Sequence, residues 1–203
     1  MRYVERYGAD VVRVLDMGVN RGKGAAVRQG VLASRGRLII FADSDGATRV
    51  QDMEKLEAAI HRSAEPDLAI AIGSRAHLDQ AQGDDAVAQR KWYRIVLMRG
   101  FHLFVETLTV RGIKDTQCGF KMFTRKAAQA IFSSLHVERW AFDVELLYIA
   151  QRLGIEIGVR DVTWTEIEGT KMTVGGLLSM ARDVLMIRLL YLFGVWKIKA
   201  ASM

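Results

Sequence analysis

Residues 37–46 read Arg37-Leu38-Ile39-Ile40-Phe41-Ala42-Asp43-Ser44-Asp45-Gly46. Five apolar residues in a row, two of them β-branched neighbours, predict a strand buried on both faces, as strands of parallel sheets are. The run stops at two acids two residues apart and a glycine, the composition of a turn. In an open α/β sheet, ligands bind beyond the carboxyl ends of the strands. Two carboxylates on such a turn can face one cation, and hard oxygen donors suit Mg²⁺ or Mn²⁺ bridged to a phosphate. An Asp-rich surface turn is the ordinary alternative.

Working toward the N-terminus, Asn20-Arg21-Gly22-Lys23-Gly24 precedes a helical composition over 25–33. Backbone N–H groups at a helix start attract anions, and Lys23 adds charge. Val11-Val12-Arg13-Val14-Leu15 predicts a further strand. Toward the C-terminus, a helix over 51–62 is followed by the buried strand Leu68-Ala69-Ile70-Ala71-Ile72. That strand ends at Gly73-Ser74-Arg75, where Arg75 could grip a phosphate with two parallel N–H groups. A polar loop is expected over 76–85 and a long amphipathic helix over 90–110. Residues 113–123, a loop or short strand, hold Asp115-Thr116-Gln117-Cys118-Gly119-Phe120-Lys121. Helices over 125–133 and 141–153, a strand over 155–164 and a helix over 174–193 complete the pattern. Asp143 and Glu145 stand in the first turns of the second of these helices, where the helix dipole favours acids. Trp140 and Trp164 read as core residues. Strands alternating with helices predict an α/β fold with a mostly parallel sheet, in one domain over 1–203.

Composition narrows the function. The chain has 203 residues, 50% hydrophobic and 26% charged, with one proline, which excludes wholesale disorder. Cys118 is the only cysteine, so no internal disulfide can form, and one Cys with four His excludes a Cys-rich zinc site. The net charge of +6 suits an anionic partner. No recognised nucleic-acid motif accompanies it, so nucleic acid is not expected as a partner. The segment nearest to a membrane span, Val184 to Trp196, is interrupted by Arg188.

Six strings occurring in this order carry a resemblance: NRGKG at 20–24, ADSDGAT at 42–48, GSRAH at 73–77, KDTQCGFKMF at 114–123, HVERWAFDVELLYIA at 136–150 and WTEIEGTK at 164–171. Together they resemble the dolichyl-phosphate β-glucosyltransferases, inverting enzymes of glycosyltransferase family 2 related to dolichyl-phosphate mannose synthase. The similarity runs from about Tyr3 to Trp196. It implies a GT-A, Rossmann-like fold and transfer of glucose from UDP-glucose to dolichyl phosphate. The product would be dolichyl β-D-glucosyl phosphate for N-glycan precursor assembly. The expected setting is the cytosolic face of the endoplasmic reticulum membrane. The resemblance places a metal, Mg²⁺ or Mn²⁺, at Asp43 and Asp45, with Asp45 the more direct ligand. It places Lys23 on the nucleotide side, Arg75 and Lys121 at the acceptor phosphate, Gly22 and Gln117 among the substrate-binding residues, Asp143 as a base or sugar-orienting carboxylate, and Lys171 over the diphosphate. The broad apolar faces with basic edges of the helices over 90–110 and about 174–196 suit either the membrane interface or the tertiary core.

The family pattern begins with a membrane anchor, a first strand ending in a proline-containing turn and an acidic motif near the uridine. None of these occurs in the 203 residues, so the chain is expected to be an N-terminally truncated form lacking the anchor and first strand. Two rivals follow: a non-catalytic remnant of the fold, and a related polyprenyl-phosphate mannosyltransferase.

Overall fold

Ala69–Ser74, strand β2, is buried at every position, and so is strand β3, Phe120–Thr124. They lie side by side at the centre of a four-stranded sheet in the order β1-β3-β2-β4, with β1 at Leu38–Ala42 and β4 at Glu156–Asp161. The computed structural model describes residues 2–81, 100, 105, 108–165 and 174–199. β2 and β4 pair in parallel, from Ala69 against Glu156 to Ser74 against Asp161. β3 runs antiparallel to both β1 and β2, with Lys121 opposite Phe41 and Ile72. Three of the four strands thus share one direction and the sheet is mixed, because β3 is threaded between β1 and β2 in the opposite sense.

The threading decides where chemistry can occur. The carboxyl ends of β1 and β2 and the amino end of β3 all meet at one edge. Asp43, Arg75 and Gly119 follow or precede those strands directly, so one edge gathers all three.

Strand periodicity sends alternate residues to opposite faces. Ala69, Ala71, Phe120 and Met122 face helix α3, Met53–His61, which supplies Leu56, Ala59 and Ile60 to that core. Ile70, Ile72 and Phe123 face the larger core, built with helix α5, Arg125–Phe132, and helix α6, Phe142–Arg152. Helix α7, Val174–Leu192, adds Met180, Val184 and Ile187 to it. Helix α2, Lys23–Ala33, adds Val31. An aromatic seam runs through this larger core: Phe41 and Phe123 stack at 6.0 Å, Phe123 meets Phe132 edge-on at 5.3 Å, and Phe41 meets Phe142 at 5.9 Å. Helix α5 starts cleanly because Thr124 accepts the Ala127 N–H at its N-terminus.

Several local expectations are corrected. Val11–Leu15 forms no strand, and Val11 and Val14 are exposed. β-Branched residues favour strands only when cross-strand and same-face neighbours pack against them, and among the described residues no strand pairs with this segment. β1 is not buried on both faces: it is an edge strand among the described residues, and Ile40 reaches solvent. The start of the expected loop at 76–85 is a short helix, α4 at Ala76–Ala81, where Ser74 Oγ accepts the Ala76 N–H. The N-terminal residues Arg2–Tyr7 form helix α1, which the sequence did not suggest. The long helix expected over 90–110 lies almost wholly outside the described residues.

Candidate active site

The turn after β1 is fixed from three sides. The Asp43 N–H donates to the Gly119 carbonyl at 3.0 Å and extends the β1–β3 ladder by one residue. The Asp43 carboxylate lies directly over Gly119, where a Cβ would stand 2.1 Å from Oδ2. A side chain at 119 would have to displace that carboxylate. Asp45 Oδ1 accepts the Ala47 N–H at 3.0 Å, closing the turn on itself. Beyond it, the Thr165 N–H donates to the Ala47 carbonyl and the Arg49 N–H to the Thr163 carbonyl, and Thr48 bridges to Trp164. Buried Asp52 anchors this second strip by accepting the Thr163 N–H and pairing with Lys55 at 2.8 Å. Burial pushes the Asp52 carboxyl up, but these donors outweigh it and hold it below the usual carboxylate range.

Both carboxylates of the turn reach solvent. The Lys23 ammonium lies 2.6 Å from Asp43 Oδ1 and 5.6 Å from the centre of the Trp140 ring, a cation–π distance. Lys23 is the first residue of α2, and the glycines on either side of it are placed by close packing. A Cβ on Gly22 would stand 2.6 Å from the Glu138 carbonyl, and one on Gly24 would stand 2.6 Å from the Val137 carbonyl. Gly22 also has a φ of 113°, which disfavours any side chain. Its N–H donates to Asn20 Oδ1 at 3.0 Å. The segment 137–140 is therefore the wall against which the start of α2 is built.

Behind this open layer is a buried ion pair. Lys121 is fully buried; its Nζ donates to Asp143 Oδ1 and to the Cys118 carbonyl, each at 2.6 Å, and lies 5.5 Å from the Phe41 ring centre. Asp143 is buried too, and burial pushes its carboxyl up while the Lys121 ammonium opposes the shift. The expectation that Lys121 meets an acceptor phosphate is corrected: β3 turns its side chain inward, where it is fully buried and two of its three N–H donors go to Asp143 and the Cys118 carbonyl. Of the two acids at the start of α6, Asp143 faces Lys121, whereas Glu145 faces the backbone of 136–137.

A second cation stands beside this group. Arg75 forms a bidentate pair with Asp115, Nε to Oδ2 at 2.8 Å and Nη2 to Oδ1 at 2.9 Å, and its own N–H also donates to Oδ2. Its guanidinium lies 5.5 Å from the Trp164 ring centre. Arg75 is thus a clamped cation, with two of its five N–H donors taken by Asp115. Gln117 Nε2 contacts Met180 Sδ on α7, and is therefore turned toward the helix. Cys118 is buried, and burial raises its thiol to about 11, which leaves it protonated at neutral pH. Lys171 lies outside the described residues. Trp140 and Trp164 are corrected from core residues to partners of Lys23 and Arg75; Trp140 is 64% exposed. Asp115 and Asp52 escaped the sequence reading, because their partners lie 40 and 111 residues away.

Burial pushes the Asp115 carboxyl up, but hydrogen bonds and charge from Arg75 outweigh it and hold it below its ordinary value. A carboxyl depressed by folding stabilises above its unfolded pKa of about 3.9 and loses that contribution as pH falls through the folded value. Asp115→Asn is therefore expected to cost about 1–3 kcal/mol at pH 7. The gap to the wild-type chain should close as pH falls below about 4, in urea unfolding at stepped pH. A gap constant with pH would mean that the pair is not what the substitution removes.

Asp43 and Asp45 together offer hard oxygen donors on a fixed, open turn. Among the described residues no group of three or more His, Cys, Asp or Glu converges to hold an ion unaided. Two carboxylates completed by phosphate oxygens and water are a common Mg²⁺ or Mn²⁺ arrangement. The donor set fits such an ion.

The fold itself is shared with mannosyl-3-phosphoglycerate synthase from Rubrobacter xylanophilus, with a TM-score of 0.52 and 17% identity over 90% of this chain and 56% of that one. A UDP complex of glucosyl-3-phosphoglycerate synthase from Mycobacterium tuberculosis matches with a TM-score of 0.50 and 17% identity, over 91% of this chain and 58% of that one. At that identity the likeness is one of architecture. Residues 2–132 match the family described as glycosyl transferase family 2, and the chain belongs to that family.

The chain is also similar to proteins named dolichyl-phosphate beta-glucosyltransferase: 53% identical over 202 residues to that of Homo sapiens, and 50% over 199 residues to that of Dictyostelium discoideum. Each alignment covers 98% of this chain. The chain spans about three fifths of those relatives, 61% and 60% of their lengths.

Proposed function

We propose that this chain transfers glucose from UDP-glucose to dolichyl phosphate with inversion, giving dolichyl β-D-glucosyl phosphate for N-glycan precursor assembly. The observation that carries the proposal is identity above 50% across nearly the whole chain, through the strands and turns that build the site. The geometry supports it in chemical terms. A phosphate monoester has its second pKa near ~6, so the acceptor oxygen is ionised at neutral pH and needs no strong base. The protein's task is then to bring two anionic substrates together and hold them in line.

Asp43 and Asp45 would hold the Mg²⁺ or Mn²⁺ ion, which supplies charge neutralisation to the donor diphosphate. Lys23, at the same edge and tethered between Asp43 and Trp140, is the donor-side cation. Gly22 allows the backbone beside it to approach closely. Arg75, a third of its side chain open, presents its remaining donors to the acceptor phosphate. The resemblance alone assigns a sugar-orienting role to Asp143, which is buried behind this layer and paired with Lys121. The exposed apolar residues of α7 and beyond, Leu185, Leu189, Leu192, Phe193 and Val195, support contact with a membrane surface. Among the described residues no helix is long and apolar enough to cross a membrane. We place the reaction at the cytosolic face of the endoplasmic reticulum membrane.

The test is transfer by the chain in detergent, with UDP-glucose, Mn²⁺ and dolichyl phosphate, with GDP-mannose as a parallel donor. A β-glucosyl lipid from UDP-glucose alone is expected. A folded chain that transfers nothing, or that prefers mannose, would overturn the assignment.

A further inference from the structure

Glu145 is a carboxylate at zero exposure whose one ion-pair partner among the described residues is the His136 ring. A buried carboxylate is costly unless its oxygens are fully engaged. Here they are: Glu145 accepts the His136 N–H at 3.0 Å, the Val137 N–H at 2.6 Å and the Tyr191 hydroxyl at 2.8 Å, and its Oε1 lies 3.0 Å from His136 Nδ1. These groups come from three places in the fold: α6, the segment before it, and the last turn of α7.

What Glu145 holds continues into the site. The residue after Val137 is Glu138, whose carbonyl accepts the Ala25 N–H at 3.0 Å and whose carboxylate pairs with Arg21. The Val137 and Glu138 carbonyls are the atoms against which Gly24 and Gly22 pack. Lys23 lies between these two glycines, so its backbone is placed by their packing on the wall. No side chain caps this end of α2, so the wall is its main support. On the other side, the far end of α7 is pinned to the same segment. The His136 ring stacks on Trp196 at 4.5 Å and 5°, the Tyr191 hydroxyl also lies 3.3 Å from the Ser134 carbonyl, and the Lys199 N–H donates to Ser134 Oγ.

We propose that Glu145, bridged by Tyr191 to the C-terminal helix, is a positioning residue that sets the place of Lys23 through segment 136–138. The apolar-faced helix α7 and the donor side of the site are thereby joined through one carboxylate. The proposal rests on the reading above in taking Lys23 as the donor-side cation, and the experiment separates the two.

Tyr191→Phe removes one hydroxyl and keeps the ring; Glu145→Gln keeps the shape and changes two acceptors to one. Amide hydrogen exchange is measured over residues 22–26 and over α3, which packs on the other face of the sheet. Exchange over 22–26 is expected to rise by about fivefold in Tyr191→Phe and by more in Glu145→Gln, with α3 unchanged. UDP affinity in the presence of Mn²⁺ is then measured for Tyr191→Phe with Lys23 present and in a Lys23→Met background. A loss of about three- to tenfold is expected with Lys23 present and none without it, since a residue that acts through Lys23 has no effect once Lys23 is gone. Unchanged exchange over 22–26, acceleration that extends equally to α3, or the same UDP loss in both backgrounds would each overturn the proposal. Exchange that responds as expected in a chain that binds no UDP would uphold the positioning of Lys23 and overturn its donor role.

Discussion

Lys121→Met is expected to unfold a large part of the population of chains at moderate temperature. The substitution leaves Asp143 buried without its cation and removes the donor to the Cys118 carbonyl. Breaking a buried pair by deleting one partner costs about 3–5 kcal/mol. For a domain of this size that lowers the thermal midpoint by about 6–20 °C. Replacing both partners should behave differently. In Lys121→Met/Asp143→Leu no charge is left stranded, and most of the loss should be recovered, because an apolar pair of similar volume commonly matches a buried ion pair. The coupling between the two sites in a double-mutant cycle is the measurement. Additive losses would show that Lys121 matters for something other than Asp143. Glucosyl transfer by the stable double variant should still be lost, since the carboxylate assigned to the sugar is gone.

Asp45→Ala should give the opposite profile. Its carboxylate reaches solvent and takes one hydrogen bond from its own turn, so the thermal midpoint should move by no more than a few degrees. Transfer should fall by about a thousandfold, roughly 4 kcal/mol of lost transition-state stabilisation. Excess Mn²⁺ should restore part of it, because Asp43 remains. A folded Asp45→Ala chain with normal transfer would remove the carboxylate pair from the reaction. The two substitutions together separate what supports the site from what acts in it.

These contrasts also show what a linear sequence can reveal. β2 was legible because burial on both faces writes a continuous apolar run, and the turn after β1 was legible because its two acids interrupt one. The same signal misled at Val11–Leu15, where no strand among the described residues pairs with the β-branched run. β3 was half hidden because Lys121, its second residue, reads as a cation reaching for a phosphate. Its burial is intelligible only beside Asp143, 22 residues further on. The direction of β3 could not be read at all, since strand direction depends on the path of the connecting chain. The resemblance named Lys23, Asp43, Asp45 and Asp143, and the structure brings Lys23 to Asp43 and pairs Asp143 with Lys121. Asp115, Asp52 and Glu145 act through long-range partners, and nothing in their neighbourhoods along the chain distinguishes them from helix-start or loop acids.

The wall behind α2 bears on how the protein is made. Arg21 and Glu138 are 117 residues apart in the chain, and the first turn of α2 has little of its own to hold it. A growing chain at the ribosome therefore carries Lys23 without the wall of 137–140 until Glu138 has been made. Contacts of such long range form late and slow folding. The half of the site that comes first in the sequence is the half that must be finished last, and nascent chains stopped short of Glu138 should show the core around α3 and β2 before the start of α2 is ordered.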